Sequence, residues 1–209
     1  MLLEIINTDI KIKNGFFTDK HKHSVMLSDL PLNVQLKITG YKNINDNNLR
    51  LLGKVLLRNI LLENGYSELS SLAKLQYFDN QKPRLDGINF SISYSTDLAV
   101  VAISKKYNIG IDIEKILPVN YLDFSSHFGK KELNLLKETT GILFFKLWTR
   151  KEALSKATGK GVFLDFDAVN VISDEIEYEG KKYKFENLEI APGYLCSLCF
   201  ANSNDILEH

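Results

Sequence analysis

Between Ile88 and Glu114 three short strand patterns follow one another with no helix between them, which is incompatible with regular βαβ alternation. Ile88, Phe90 and Ile92 alternate with Asn89, Ser91 and Ser93, the pattern of a half-buried strand. A polar turn at Ser95-Thr96-Asp97 leads into the apolar run from Leu98 to Ile103, so the two are expected to pair as a hairpin. Ile109-Gly-Ile-Asp-Ile-Glu114 is a third strand, ended by Leu117-Pro118. Helices must therefore flank grouped strands, and the fold class is α+β.

The flanking patterns agree. From Asp46 to Asn64, residues Leu49, Leu52, Val55, Leu56, Ile60 and Leu61 recur at three-and-four spacing, after Asn and Asp residues able to cap the segment and before Asn64-Gly65. Helical patterns recur at 130–138 and 143–158. Residues 2–12 alternate loosely as one strand, and 162–200 reads as further strands with turns at Glu179-Gly180 and Pro192-Gly193. Between 14 and 43, His21-Lys22-His23 and Asp29-Leu30-Pro31 interrupt any period. No repeat or low-complexity linker divides the chain.

Of the 209 residues, 44% are hydrophobic. A chain of this length buries roughly 70% of its unfolded surface, so it needs no covalent staples. Lys plus Arg and Asp plus Glu number 26 each, giving zero net charge. A dedicated nucleic-acid binder would instead carry a basic domain. No apolar run approaches the roughly 18 residues of a membrane span. Met1-Leu-Leu-Glu-Ile-Ile lacks the basic start of a signal peptide and breaks at Glu4. A cytoplasmic protein without nucleic-acid or membrane partners is expected. Leu207-Glu208-His209 reads as an expression-tag remnant.

Cys196 and Cys199 are the only cysteines, and a lone C-x-x-C can be a redox pair or half a zinc site. No second pair exists, and the alternation through Tyr194–Phe200 is that of a core strand. Buried, reduced thiols are expected.

Three stretches can carry chemistry. On a strand at 109–114, Gly110, Asp112 and Glu114 share a face, and the two acidic residues lie about 6.6 Å apart at ~3.3 Å rise per residue. Such oxygen ligands suit Mg²⁺ shared with a substrate phosphate, and Gly110 leaves room for a ligand; a merely solvated strand face explains the same residues. On the helix at 143–158, Trp148, Glu152 and Lys156 form an i, i+4, i+8 stripe. Its Glu and Lys could act as metal ligand or base and as phosphate clamp, or simply as an exposed pair worth about 0.2–0.5 kcal/mol. Third, the polar residues of Asn89–Ser95 and the loop Lys82-Pro83 could bind an anion or face water.

Together, these stretches resemble the surfactin-type 4′-phosphopantetheinyl transferases. The likeness rests on Lys82-Pro83 followed by Phe90-Ser-Ile-Ser-Tyr-Ser95, on Ile109-Gly-Ile-Asp-Ile-Glu-Lys115, and on Leu147-Trp-Thr-Arg-Lys-Glu-Ala-Leu-Ser-Lys156 with Gly159-Lys-Gly161. The family patterns are G-K-P, F-N-(I/L)-S-H-S, (I/V)-G-(I/V)-D-(I/V)-E and W-(S/T)-x-K-E-(A/S)-x-x-K. Arg50-Leu-Leu-Gly53 is similar to the family's early helix, and the likeness runs from about residue 46 to about 200.

The resemblance implies two similar α+β halves related by a pseudo-twofold axis, residues 1–108 and 109–206, with coenzyme A bound between them in a monomer. It implies transfer of the 4′-phosphopantetheine arm from coenzyme A to a serine of an apo acyl or peptidyl carrier protein, releasing adenosine 3′,5′-bisphosphate. Asp112, Glu114 and Glu152 would hold Mg²⁺ against the pyrophosphate. Glu152, or a water it orients, would be the base, with Asp112 and Lys156 completing the catalytic set. Lys82 and Lys156 would neutralise phosphate charge, Arg50 would reach the 3′-phosphate end, and Pro83, Ser93 and Tyr94 would line the coenzyme A site.

Two positions depart from the pattern. Gln81 replaces the Gly before Lys-Pro, and Tyr94 replaces the histidine that contacts a coenzyme A phosphate. A phenol donates one hydrogen bond but carries no positive charge at neutral pH, so weaker coenzyme A binding is expected. A catalytically silent protein of the same fold that binds coenzyme A or a carrier is the competing reading. Phe124, Phe128 and Leu133 are candidates for a carrier-docking patch or for core.

Overall fold

The computed structural model describes residues 2–4, 9–17, 23–77, 82–139 and 141–203. Gln81, His21-Lys22 and Leu207–His209 lie outside them. The chain divides into two compact units, Met1–Lys105 and Lys106–His209.

The first unit is an antiparallel sheet of order β1-β2-β4-β3 with helices packed on it. The single strand expected over 2–12 is two, β1 (Leu2–Glu4) and β2 (Ile10–Phe16). Two short helices, α1 (His23–Ser28) and α2 (Leu32–Thr39), occupy the stretch without a readable period, since six and eight residues are too few turns to display one. The helix expected from Asp46 is α3 (Ile44–Glu63), and it begins earlier because the Asn43 side chain accepts the Asn45 amide at 2.8 Å. Its Leu51, Leu52, Leu56, Leu57, Ile60 and Leu61 are buried against the sheet, each worth about 1.5–3 kcal/mol relative to exposure. After the one-turn α4 (Ser67–Ser70), strands β3 (Asn89–Ser95) and β4 (Leu98–Ser104) form the expected hairpin. The serine face of β3 is not solvated: Ser91, Ser93 and Ser95 are all buried.

The second unit is an antiparallel sheet of order β5-β8-β7-β6: β5 (Tyr107–Lys115), β6 (Glu175–Tyr178), β7 (Lys181–Leu188) and β8 (Tyr194–Asn202). Helices α5 (Lys130–Glu138) and α6 (Ile142–Thr158) complete it, with 3₁₀ turns at Tyr121–His127 and Gly161–Phe163. The Glu179-Gly180 turn joins β6 to β7 with both residues left-handed (φ 50° and 70°), as a two-residue hairpin requires. Cys196 and Cys199 are free and buried in β8, and their odd spacing puts them on opposite faces, so they form neither a disulfide nor a ligand pair. Phe128 is buried in this unit's core, with Phe124 and Leu133 packed against it. Phe128 is thus core, while Phe124 and Leu133 are half-buried at its edge. Among the described residues no helix is long and apolar enough to cross a membrane.

Candidate active site

Helix α6 rests on β5 main chain to main chain. A Cβ added to Gly110 would sit 1.9 Å from the Ala153 carbonyl oxygen and 2.5 Å from the Ala157 amide nitrogen. Gly110 thus makes room for a helix, not for the ligand its place in the sequence suggests. Because Gly110, Asp112 and Glu114 share a strand face, the same approach brings Asp112 under α6. Lys156 Nζ donates to Asp112 Oδ1 at 2.7 Å and to the Ile111 carbonyl at 3.1 Å. Asp112 is buried, whereas Lys156 keeps 24% of its side chain exposed, so the ammonium is held from inside and reachable from outside.

One turn before Lys156, Glu152 is half-buried. Its carboxyl is pushed above the ordinary carboxylate range, first by burial and then by the negative charge of Asp112; Lys156 and His127 oppose this. Two carboxylates thus work against each other in one partly dehydrated place, with one ammonium between their demands. Trp148, the first residue of the stripe, anchors it: its ring stacks on Phe144 at 6.1 Å and meets the edges of Phe124, His127 and Phe166. His127 is thereby fixed beside Glu152, a neighbour no sequence spacing indicated.

The inward side of α6 explains how Glu152 is held. Lys151 and Glu132 are both fully buried, 2.8 Å apart. Glu132 also accepts the Gly129 and Val171 amides at 3.0 Å each, while Lys151 donates to the Phe166 and Val169 carbonyls. Arg150 donates to the carbonyls of Val171, Ile172 and Ser173 and pairs with Asp174. These bonds tie the segment 166–174 and the start of α5 to α6, and they give Glu132, Lys151 and Arg150 partners inside the unit. The signal for Glu132 was its place three residues after Gly129, where its carboxylate caps the helix.

Glu114 lies two residues beyond Asp112 on the same strand face and is half-buried. The expected set of three carboxylates is not assembled: among the described residues no group of three or more His, Cys, Asp or Glu side chains is gathered closely enough to hold a metal ion. The donor chemistry does fit one. Asp112 and Glu152 are hard oxygen ligands whose mutual repulsion a divalent cation would relieve, and Glu114 is a third carboxylate on the Asp112 strand face.

The remaining candidates belong to the first unit. The Arg50 guanidinium lies 4.7 Å from the centre of the Tyr94 ring and 5.0 Å from that of Tyr41. Tyr94 packs directly on α3: a Cβ at Gly53 would lie 2.6 Å from its hydroxyl. Burial pushes this phenol up to about 12 against the opposing pull of Arg50, so it is a neutral hydrogen-bonding group. Ser93, one residue earlier, points to the opposite face of β3, so the strand does not present it alongside Tyr94. Lys82 and Pro83 are half-buried in the loop before β3.

Residues 108–199 match the model of the 4′-phosphopantetheinyl transferase superfamily, a span that contains the Asp112, Glu152 and Lys156 cluster. Given that match and the relatives that follow, the chain belongs to this superfamily, among its surfactin-type members. It is 30% identical over 203 residues to the 4′-phosphopantetheinyl transferase gsp of Aneurinibacillus migulanus, covering 91% of this chain and 83% of that one. It is 29% identical over 179 residues to Sfp of Bacillus subtilis (strain 168), covering 79% and 80%. With HetI of Nostoc sp. the identity is 35% over 123 residues, about half of each chain.

Proposed function

We propose that the protein transfers 4′-phosphopantetheine from coenzyme A to a serine of an apo carrier protein, releasing adenosine 3′,5′-bisphosphate. The observation that carries this reading is the Lys156–Asp112 pair with Glu152 one helical turn away, its carboxyl pushed up by burial and by Asp112. In the transfer the serine oxygen attacks the pantetheine-side phosphorus of the pyrophosphate. The bond to the bridging oxygen breaks, and the nucleotide departs with the electron pair. Glu152, or a water it orients, takes the serine proton; a carboxylate pushed up by its surroundings is the stronger base. Lys156 places its partly exposed ammonium where it can neutralise phosphate charge as it builds.

Asp112, Glu114 and Glu152 would hold Mg²⁺, which when bound supplies positive charge against the pyrophosphate oxygens. Arg50, Lys82, Pro83, Ser93 and Tyr94 are the candidates on the first unit for contacts with coenzyme A. The protein would act as a cytoplasmic monomer. Incubation with an apo carrier protein, coenzyme A and Mg²⁺ tests the reading: the carrier's mass should rise by one phosphopantetheine arm. No rise with any of several acyl and peptidyl carriers refutes it. The neutral Tyr94 favours a second reading, a protein that binds coenzyme A without turning it over, which calorimetry together with the mass assay separates.

A further inference from the structure

Besides the Lys156–Asp112 bond, a second polar tie joins α6 to the sheet beneath it. Thr149 and Ser197 are both fully buried, and their hydroxyl oxygens lie 2.8 Å apart. Thr149 has a single hydrogen to donate, and its own helix takes it, since the Phe145 carbonyl is also 2.8 Å away. Ser197 is therefore the donor from strand to helix. Asn187 Oδ1, at 3.5 Å, is too distant to compete for that hydrogen.

Ser197 stands directly opposite Asp112 in the β5–β8 pairing, so adjacent strands present the two ties at one level of the sheet. On the helix, at ~100° per residue, Lys156 returns to within about 20° of Thr149 and Glu152 to within about 60°. The bare contact of Ala153 with Gly110 falls between them in the chain. Apolar packing is non-directional and tolerates rotation of a helix about its axis. Two hydrogen bonds at separate turns do not. Burying hydroxyls costs free energy that their bond only offsets, and an apolar pair of the same shape would fill the space as well. What the hydroxyls contribute is direction.

We propose that Thr149 and Ser197 are positioning residues for the transfer: the bond between them sets the rotation of α6 on the sheet and so brings Glu152 and Lys156 to bear on Asp112. The proposal rests on the transferase reading. Neither hydroxyl touches substrate, since both are closed off from solvent beneath the helix.

The test compares Thr149→Val and Ser197→Ala, which each remove one hydroxyl, with Thr149→Ser, which keeps it. In carrier modification by the full chain, the first two should each lower kcat about 10- to 100-fold, the cost of misplacing reacting groups by about 1 Å, with KM for coenzyme A within about twofold. The double variant should fall no further, and Thr149→Ser should keep at least about half of the wild-type kcat. Leu136→Ala, a core substitution in α5 that should lower Tm at least as far, should keep kcat, as a merely structural role of the hydroxyls would not predict.

Competitive labelling with acetic anhydride, read by peptide mass spectrometry, follows Lys156 without any turnover. Thr149→Val should acetylate at Lys156 about fivefold faster than the wild type, the scale of one weakened hydrogen bond, and Thr149→Ser should match the wild type. An unchanged labelling rate in Thr149→Val overturns the proposal, as does a Thr149→Ser variant as slow as Thr149→Val. A wild-type protein that modifies no carrier overturns the transferase reading and with it the catalytic purpose of the tie, while labelling still decides whether the bond places Lys156. Ser197→Ala gives the same comparisons should Thr149→Val not fold.

Discussion

The Lys156 ammonium is held by Asp112 across 2.7 Å, a bond joining residues 44 positions apart through a helix and a strand whose backbones touch. Neither residue is set by a loop. The two act as one device, with Asp112 buried beneath the helix and Lys156 carrying the accessible charge.

Removing either member should therefore cost about the same. Lys156→Met and Asp112→Asn are each expected to lower kcat/KM about 10²- to 10³-fold, the scale for losing one charge-stabilising group. The double variant should fall little further, because groups acting as a unit are not additive. Steady-state kinetics with an apo carrier protein measures all three.

The Glu132–Lys151 pair should matter for stability before it matters for rate. Lys151→Met leaves a fully buried carboxylate without its cation, which should cost about 3–5 kcal/mol in urea denaturation. Replacing both members by apolar residues of similar volume should recover most of that loss.

Gly110→Ala should not be tolerated. The added carbon would lie 1.9 Å from a helix carbonyl, which no rotamer change relieves. A loss of at least the ~3 kcal/mol that marks the upper range of overpacking is expected, read as a lowered Tm.

Lys54 should make stability depend on pH in the alkaline range. Its proton is bound with a pKa of 10.5 in the unfolded chain and about 8 in the fold, so between those values the unfolded state holds more protons. Stability should accordingly rise as pH climbs from 8 to 10.5, by up to about 1.4 kcal/mol per pH unit. Below 8 the full penalty, on the order of 3 kcal/mol, applies, and Lys54→Met should remove it along with the alkaline slope. Denaturant titrations at several pH values would show a variant more stable below pH 8 and without the alkaline slope.

Tyr94→His should strengthen coenzyme A binding, because an imidazole can carry the positive charge that a phenol lacks. Calorimetry on the variant and the wild type measures this, and an unchanged dissociation constant would show that the position meets no phosphate.

Much of this was legible in the sequence, and what was not has physical reasons. The α3 and α6 periods, the β3–β4 hairpin and the strand at β5 are local patterns, and each formed where its residues indicated. The Trp148, Glu152 and Lys156 stripe could be read from helical spacing, but its partner Asp112 could be joined to it only through family likeness. Glu132 with Lys151, and the buried Lys54, escaped notice because burial of a charge is a tertiary property, and both lysines look like ordinary surface residues in a chain with 25% charged residues. The helices α1 and α2 were invisible because they are too short to repeat.

Where glycine lets a helix lie bare against a strand, the spacing between acid and lysine is fixed by two main chains rather than by the girth of any interposed side chain. Substitutions elsewhere in the unit can therefore accumulate while acid and lysine keep their separation. Any change at Gly110 itself would alter that distance at once.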